Sequence, residues 1–364
     1  MARPSVRDDV ALMEGYHSPQ VDVAVRLNTN EAPEPPPAAF VAELRAALDE
    51  VQWHRYPDRG AGALRARIAE VEAPLVPAGI DASNVFAANG SNEVLQTLCL
   101  AYAGAGRSVL TFEPTYALHS HIAKVSGARV LDCPRRDDFT LDVDRAVEMV
   151  RAESPIITFL CSPNNPTGRV ESESSVRALL EAVEAVDGLL VVDEAYGQFS
   201  PWSALALVHD DRSVAVTRTY SKTWSAAALR LGYLIGPTWV VDELDKVVLP
   251  YHLDSMTQLA GLLALDHLDD MERRVAHLVE ERGRVAAALD ELDVDQWPSA
   301  ANFILFRPRH RAGADVWQAL VELSVLVRNC SSWPGLDDCL RVTLGTPEEN
   351  DAFLSALAEV LAAH

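Results

Sequence analysis

Ile156-Ile157-Thr158-Phe159-Leu160 runs directly into Cys161-Ser162-Pro163-Asn164-Asn165-Pro166-Thr167-Gly168. An unbroken apolar run of that length, ended by a loop stiffened with proline and glycine, reads as a strand buried on both faces. Open α/β sheets bind their ligands at the carboxyl ends of such strands. There the Asn165 amide could be held out to an acceptor, although Asn-Pro and Thr-Gly are also ordinary turn dipeptides. Residues 85–87, 109–112, 189–192, 214–216 and 232–235 repeat the β-rich texture, with helical periodicity between them, notably over residues 91–102. The expected fold class is α/β, a mostly parallel sheet between helices, accompanied by a smaller α+β domain.

Domain limits follow from changes of texture. Residues 1–50 form an N-terminal arm that joins the small domain, including the Pro-rich crossing at 32–37 and a helix over 38–51. Residues 51–255 form the large domain. After Pro250 the apolar spacing of Val275, Leu278, Val279, Val285 and Leu289 is helical, a strand follows over 302–306, and a terminal helix starts at Pro347. Residues 256–364 are therefore read as the small C-terminal domain.

A chain of 364 residues with 49% apolar content can build such cores, and its net charge of −22 argues against nucleic acid and anionic membrane as partners. The start of the chain has no apolar segment of the signal-peptide kind, and no apolar run reaches a membrane span, so a cytoplasmic location is expected. Five cysteines without CxxC spacing predict buried thiols and no metal.

Three further segments carry chemistry. Gly90-Ser91-Asn92-Glu93 opens a helix after a strand, where backbone N–H groups attract anions; Ser91 as a simple helix cap is the competing reading. Asp193-Glu194-Ala195-Tyr196 ends an apolar strand, where a carboxylate needs a cation. A protonated pyridine would serve, and Mg²⁺ is the rival, although the chain lacks a phosphate-binding Gly-x-x-x-x-Gly-Lys loop. Thr219-Tyr220-Ser221-Lys222, with Arg230 beyond, contains one of only three lysines, in a chain whose basic charge is otherwise arginine. A lysine can form a Schiff base, which arginine cannot.

These segments, in this order, resemble the fold-type-I pyridoxal-phosphate aminotransferases, and within them the histidinol-phosphate aminotransferase family in its actinobacterial form. Further similar stretches are Leu27-Asn28-Thr29-Asn30-Glu31, Arg55-Tyr56-Pro57-Asp58, Glu113-Pro114-Thr115-Tyr116, Leu249-Pro250-Tyr251-His252-Leu253 and Cys339-Leu340-Arg341-Val342-Thr343. The resemblance spans nearly the whole chain and implies pyridoxal 5′-phosphate as cofactor. It implies Lys222 as the Schiff-base lysine, Asp193 against the pyridine nitrogen, Asn165 and Tyr196 on the ring oxygen, and Tyr116 on the ring face. Ser91, Asn92, Thr219, Ser221 and Arg230 would bind the phosphate. Tyr56 would reach the neighbouring subunit's cofactor, implying a homodimer with shared active sites. Tyr16, Asn30, Arg328 and Arg341 would contact small anionic substrates, histidinol phosphate and 2-oxoglutarate or glutamate.

The chain departs from the family's common pattern at Ala32-Pro33-Glu34, Trp224, Ala228 and Asn329, which bear on the amino donor. An aminotransferase for aromatic or specialised amines, or a decarboxylase for a phosphorylated amino acid, would share this scaffold.

Overall fold

A computed structural model describes residues 4–11, 13, 15 and 21–363. Twelve strands among them form two sheets. The first strand, β1 (Val25–Leu27), belongs to the smaller sheet, and the chain then builds the larger one. That larger sheet contains β2 (Val85–Ala88), β3 (Ser108–Thr111), β4 (Arg129–Asp132), β5 (Ile157–Cys161), β6 (Leu189–Asp193), β7 (Val214–Thr219) and β8 (Gly232–Ile235). Their order is β2-β8-β7-β6-β5-β3-β4; β8 is antiparallel to both neighbours, and the other pairs are parallel.

The continuous apolar runs have a simple cause. Alternate residues of each strand enter different cores: Leu190, Val192, Val214 and Val216 on one side, Phe159, Leu189, Val191 and Ala215 on the other. With both faces covered, neither set can be polar, and each of the valine, leucine and phenylalanine side chains contributes roughly 1.5–3 kcal/mol on burial.

The strand expected from Ile156 begins at Ile157 and extends through Cys161. The helix expected over 38–51 ends at Leu48. The apolar runs do not predict strand β4; it is an edge strand with exposed ends, so it lacks the pattern that marks its neighbours.

The smaller sheet is completed by β9 (Val294–Gln296), β10 (Phe303–Pro308), β11 (Val325–Asn329) and β12 (Leu340–Thr343), in the order β1-β11-β12-β10-β9. Only β1 pairs in parallel, on β11. Helix Ser255–Leu265 packs into the core of the larger sheet through Ala260, Ala264 and Leu265. Helix Leu268–Asp290 spans both cores, with Met271 in the first and Leu278, Val285 and Leu289 in the second. The five cysteines are buried. Among the described residues no helix is long and apolar enough to cross a membrane.

Candidate active site

The carboxyl ends of β5, β6 and β7 deliver Asn165, Asp193 and Thr219 to one cavity of about 480 Å³. Its lining also includes Ser91, Asn92, Tyr116, Tyr196, Ser221, Lys222 and Arg230 from the larger sheet's loops. From the N-terminal segment and the smaller sheet come Asn30, Arg328 and Arg341. Residues separated by three hundred positions therefore share one wall: Arg341 Nη2 donates to Asn28 O at 2.9 Å, and Asn30 N to Thr343 Oγ1 at 3.0 Å.

One flank is shaped for an anion. Gly90, at φ +76°, and Gly232 leave no room for a Cβ: one on Gly90 would lie 2.7 Å from Arg230 Nη2, and one on Gly232 2.3 Å from the Ser91 nitrogen. The start of helix Gly90–Tyr102 is thereby pressed against β8, with the Arg230 guanidinium beside its exposed N–H groups. Arg230 Nη1 donates to Ser221 Oγ at 3.2 Å, and Thr219 Oγ1 to the same oxygen at 3.0 Å. Ser91 is not the helix cap, which corrects that alternative; the cap position is Asn89, whose backbone N–H donates to the Glu93 carboxylate at 2.7 Å.

The floor is a carboxylate in a dry place. Asp193 is buried, with Oδ1 accepting from Ala195 N at 3.1 Å and Thr217 Oγ1 at 3.3 Å. Its Oδ2 lies 2.9 Å from His119 Nε2. The His119 ring stacks on Phe159 with centroids 4.9 Å apart, and its buried Nδ1 has no partner among the described residues. That arrangement puts the imidazole proton on Nε2, aimed at Asp193. The sequence does not single out His119, because a histidine on a helix two residues from another, His121, shows no catalytic or metal-ligand spacing. Glu194, next in sequence, takes no part in the cavity: Arg218 Nη2 donates to it at 2.9 Å and Arg218 Nη1 to Glu72 at 2.7 Å, a buried cluster that fixes the strand end.

Above the floor, Asn30 Nδ2 donates to Tyr196 Oη at 2.8 Å, and burial pushes that phenol's pKa up. The Arg341 guanidinium donates to Asn165 Oδ1. Tyr116 Oη donates to Asn92 Oδ1 at 3.0 Å. Lys222 Nζ faces this group and donates to Thr29 O at 3.2 Å. Desolvation, helped by the Arg341 and Arg230 charges against the pull of Glu31, lowers the Lys222 pKa to about 8. The site thus combines an unusually acidic lysine ammonium, a buried carboxylate with a proton donor behind it, and an anion cradle. Tyr56 lies outside the cavity lining, 79% exposed and stacked on Tyr251 at 4.5 Å. Tyr16 falls outside the described residues.

A seven-stranded, mostly parallel sheet with this lysine and aspartate at its carboxyl edge defines the fold-type-I aminotransferases. The sequence matches the model of "Aminotransferase class I and II" over residues 22–357. It is 43% identical over 360 residues to the histidinol-phosphate aminotransferase of Mycobacterium sp. (strain JLS), covering 98% of this chain and 94% of that one. Identity to the histidinol-phosphate aminotransferase of Frankia casuarinae is likewise 43%, over 98% and 90% of the two chains. The histidinol-phosphate aminotransferase from Sinorhizobium meliloti, solved in complex with pyridoxal-5′-phosphate, superposes with a TM-score of 0.87 at 22% identity, over 99% and 98% of the chains. The chain belongs to the class I and II aminotransferases, and within them to the histidinol-phosphate aminotransferase family. Pyridoxal 5′-phosphate is the cofactor of this class, and the cradle that Gly90 and Gly232 keep open, the buried Asp193 and the Lys222 amine fit its phosphate, ring nitrogen and aldehyde.

Proposed function

We propose that the protein transfers an amino group between L-histidinol phosphate and 2-oxoglutarate, giving imidazole acetol phosphate and glutamate in histidine biosynthesis. One observation carries this reading: a single cavity holds the Lys222 amine, with its lowered pKa, together with the Arg328 and Arg341 guanidiniums in addition to Arg230. Arg230 is assigned to the cofactor's phosphate, and Arg328 and Arg341 are the other two arginines of the lining, assigned to the substrate. Histidinol phosphate offers a phosphate and no carboxylate, whereas 2-oxoglutarate offers two carboxylates. Planar guanidinium groups accept both oxyanions with paired N–H bonds.

In this reading Ser91, Asn92, Thr219, Ser221 and Arg230 bind the cofactor phosphate. Asp193 holds the pyridine nitrogen protonated, Asn165 and Tyr196 donate to the ring oxygen, and Tyr116 covers the ring. When bound, the cofactor supplies an electron sink for the carbanion left at the substrate's amino-bearing carbon. Lys222 Nζ, whose pKa of about 8 leaves a substantial neutral fraction near physiological pH, takes the proton from that carbon in its neutral form. His119 holds Asp193 in place through Nε2. Asn30, Arg328, Arg341 and Tyr16 position the substrate. The protein works as a homodimer in the cytoplasm, with Tyr56 reaching the partner's cofactor phosphate. Support for this comes from the exposed Tyr56–Tyr251 stack and from the exposure of Leu249 and Met256, close to Tyr251 in sequence.

The test follows the holoenzyme's visible absorbance after adding one amine at a time without acceptor. Histidinol phosphate should bleach it in a single turnover, while phenylalanine and phosphothreonine leave it unchanged. Bleaching by phenylalanine alone, or release of CO₂ from phosphothreonine, would overturn the assignment.

A further inference from the structure

Arg328 and Arg341 are register partners across the β11–β12 pair, so the ladder holds two cations side by side at the cavity wall. Like charges directly opposite are unfavourable in a sheet, and each guanidinium must be kept aimed inward by something else. For Arg341 the means are plain: its donors engage Asn165 Oδ1 and Asn28 O, and its guanidinium carbon lies 5.0 Å from the centre of the Phe303 ring. Arg328 has its own aromatic platform. Its guanidinium carbon lies 5.2 Å from the ring centre of Trp333, which also lines the cavity.

Trp333 is fixed at both ends. The loop that closes β11 onto β12 is a series of tight turns, with Trp333 N donating to Cys330 O at 3.0 Å, Leu336 N to Trp333 O at 3.2 Å, and Cys330 N to Cys339 O at 2.9 Å. The indole body packs against the buried cluster of Phe139, Leu305, Cys330, Leu336 and Cys339. Its Nε1 crosses to the other sheet's loops and donates to Thr115 O at 3.0 Å. Thr115 in turn donates from Oγ1 to Asn164 Oδ1 at 2.8 Å, and it is flanked by Tyr116. One side chain therefore ties the arginine hairpin to the loops that carry Asn165 and Tyr116.

We infer that Trp333 is a positioning residue for the substrate's distal anion: its ring face holds Arg328 in the cavity beside Arg341, and its N–H sets the distance of that arginine pair from the Tyr116 loop. The inference rests on the proposed use of Arg328 for a phosphate or carboxylate. The ring face is the part that acts on Arg328, through the attraction of a cation to an aromatic quadrupole. The N–H sets the loop spacing and is secondary for anion binding.

Two variants separate these parts. Trp333→Leu keeps apolar bulk and loses the aromatic face, whereas Trp333→Phe keeps a face and loses only the donor. For Trp333→Leu, KM for histidinol phosphate should rise about five- to tenfold with kcat within about twofold, while KM for L-histidinol, which lacks the phosphate, stays within about twofold. Trp333→Phe should recover most of the loss. Equal losses on both amines, or no rescue by phenylalanine, would overturn the inference. Calorimetric titration of each holoenzyme with inorganic phosphate keeps it separate from the identity of the amino donor. Binding five- to tenfold weaker in Trp333→Leu and near wild-type in Trp333→Phe supports it even if histidinol phosphate is not the donor. Unchanged phosphate binding in Trp333→Leu, or none in the wild type, refutes it.

Discussion

Lys222 is shifted against the usual direction for a lysine with partners: burial and two nearby arginines lower its pKa to about 8. Between that value and the ordinary ~10.4 the unfolded chain binds the extra proton and the folded chain does not, so apoprotein stability climbs as pH rises through this window. The catalytic consequence is more direct. At pH 7.5 an unperturbed lysine is about 0.1% neutral, whereas a group near 8 is roughly a quarter neutral. The rate at which apoenzyme takes up pyridoxal phosphate, followed by absorbance, should therefore rise through pH ~8 rather than above 10. A midpoint above 10 would refute the assigned environment. Lys222→Ala should bind the cofactor without the aldehyde-linked spectrum and lose more than ~10³ of the turnover. The scarcity of lysine makes this residue legible in the sequence alone. His119 and Trp333 are not legible there, because each acts through a contact between distant segments: His119 with Asp193, Trp333 with Arg328 and Thr115. A single sequence contains no trace of such pairings.

At the level of elements, the cofactor cradle depends on a close approach rather than on a side chain. A methyl group on Gly232 would meet the Ser91 nitrogen at 2.3 Å and the Gly90 carbonyl carbon at 2.5 Å, and backbone cannot swing aside as a flexible side chain can. Gly232→Ala should push the start of helix Gly90–Tyr102 away from β8 and weaken pyridoxal phosphate binding by at least ~10-fold in equilibrium dialysis. Gly236→Ala is the comparison. Its Cβ would meet the Ala215 side chain at 3.0 Å, away from the cradle, so stability should drop with cofactor affinity unchanged. The central strands are readable because burial on both faces forces continuous apolar runs, as in residues 189–192 of β6. Strands β1 and β9, of three residues each, are too short to show any period, and β4 at the sheet edge is half exposed. The loop after β5 is readable as a site because its position at the strand's carboxyl end is a property of the fold and not of its particular residues.

For the whole molecule, the proposed dimer makes a quantitative prediction through Tyr56, which is exposed here and absent from its own subunit's cavity. If Tyr56 serves the partner, then mixing Tyr56→Ala with Lys222→Ala subunits rebuilds one complete site in every mixed dimer. Random exchange makes half the dimers mixed, each with one of two sites intact, so activity should recover to about a quarter of wild type. Mixtures that stay at the level of the separate variants would exclude a shared site. The acidic surface implied by the net charge of −22 does not conflict with anionic substrates, because Arg230, Arg328 and Arg341 are concentrated in one cavity.

The bonds from Asn28 and Asn30 to Arg341 and Thr343 join the beginning of the chain to its end, and that has a consequence in time. As the ribosome releases the chain, the larger sheet and the helices that cover it are complete once about residue 271 has emerged. Arg341 follows 341 − 271 = 70 residues later, which at ordinary elongation rates is roughly 4–14 s. During that interval the nascent chain carries its own groups proposed for the cofactor but lacks the arginine wall proposed for the substrate. Asn28 and Asn30, among the first residues made, wait for the last strand. On the proposed roles, the cofactor's berth is the first part of the site whose sequence is complete, and the anion wall is the last.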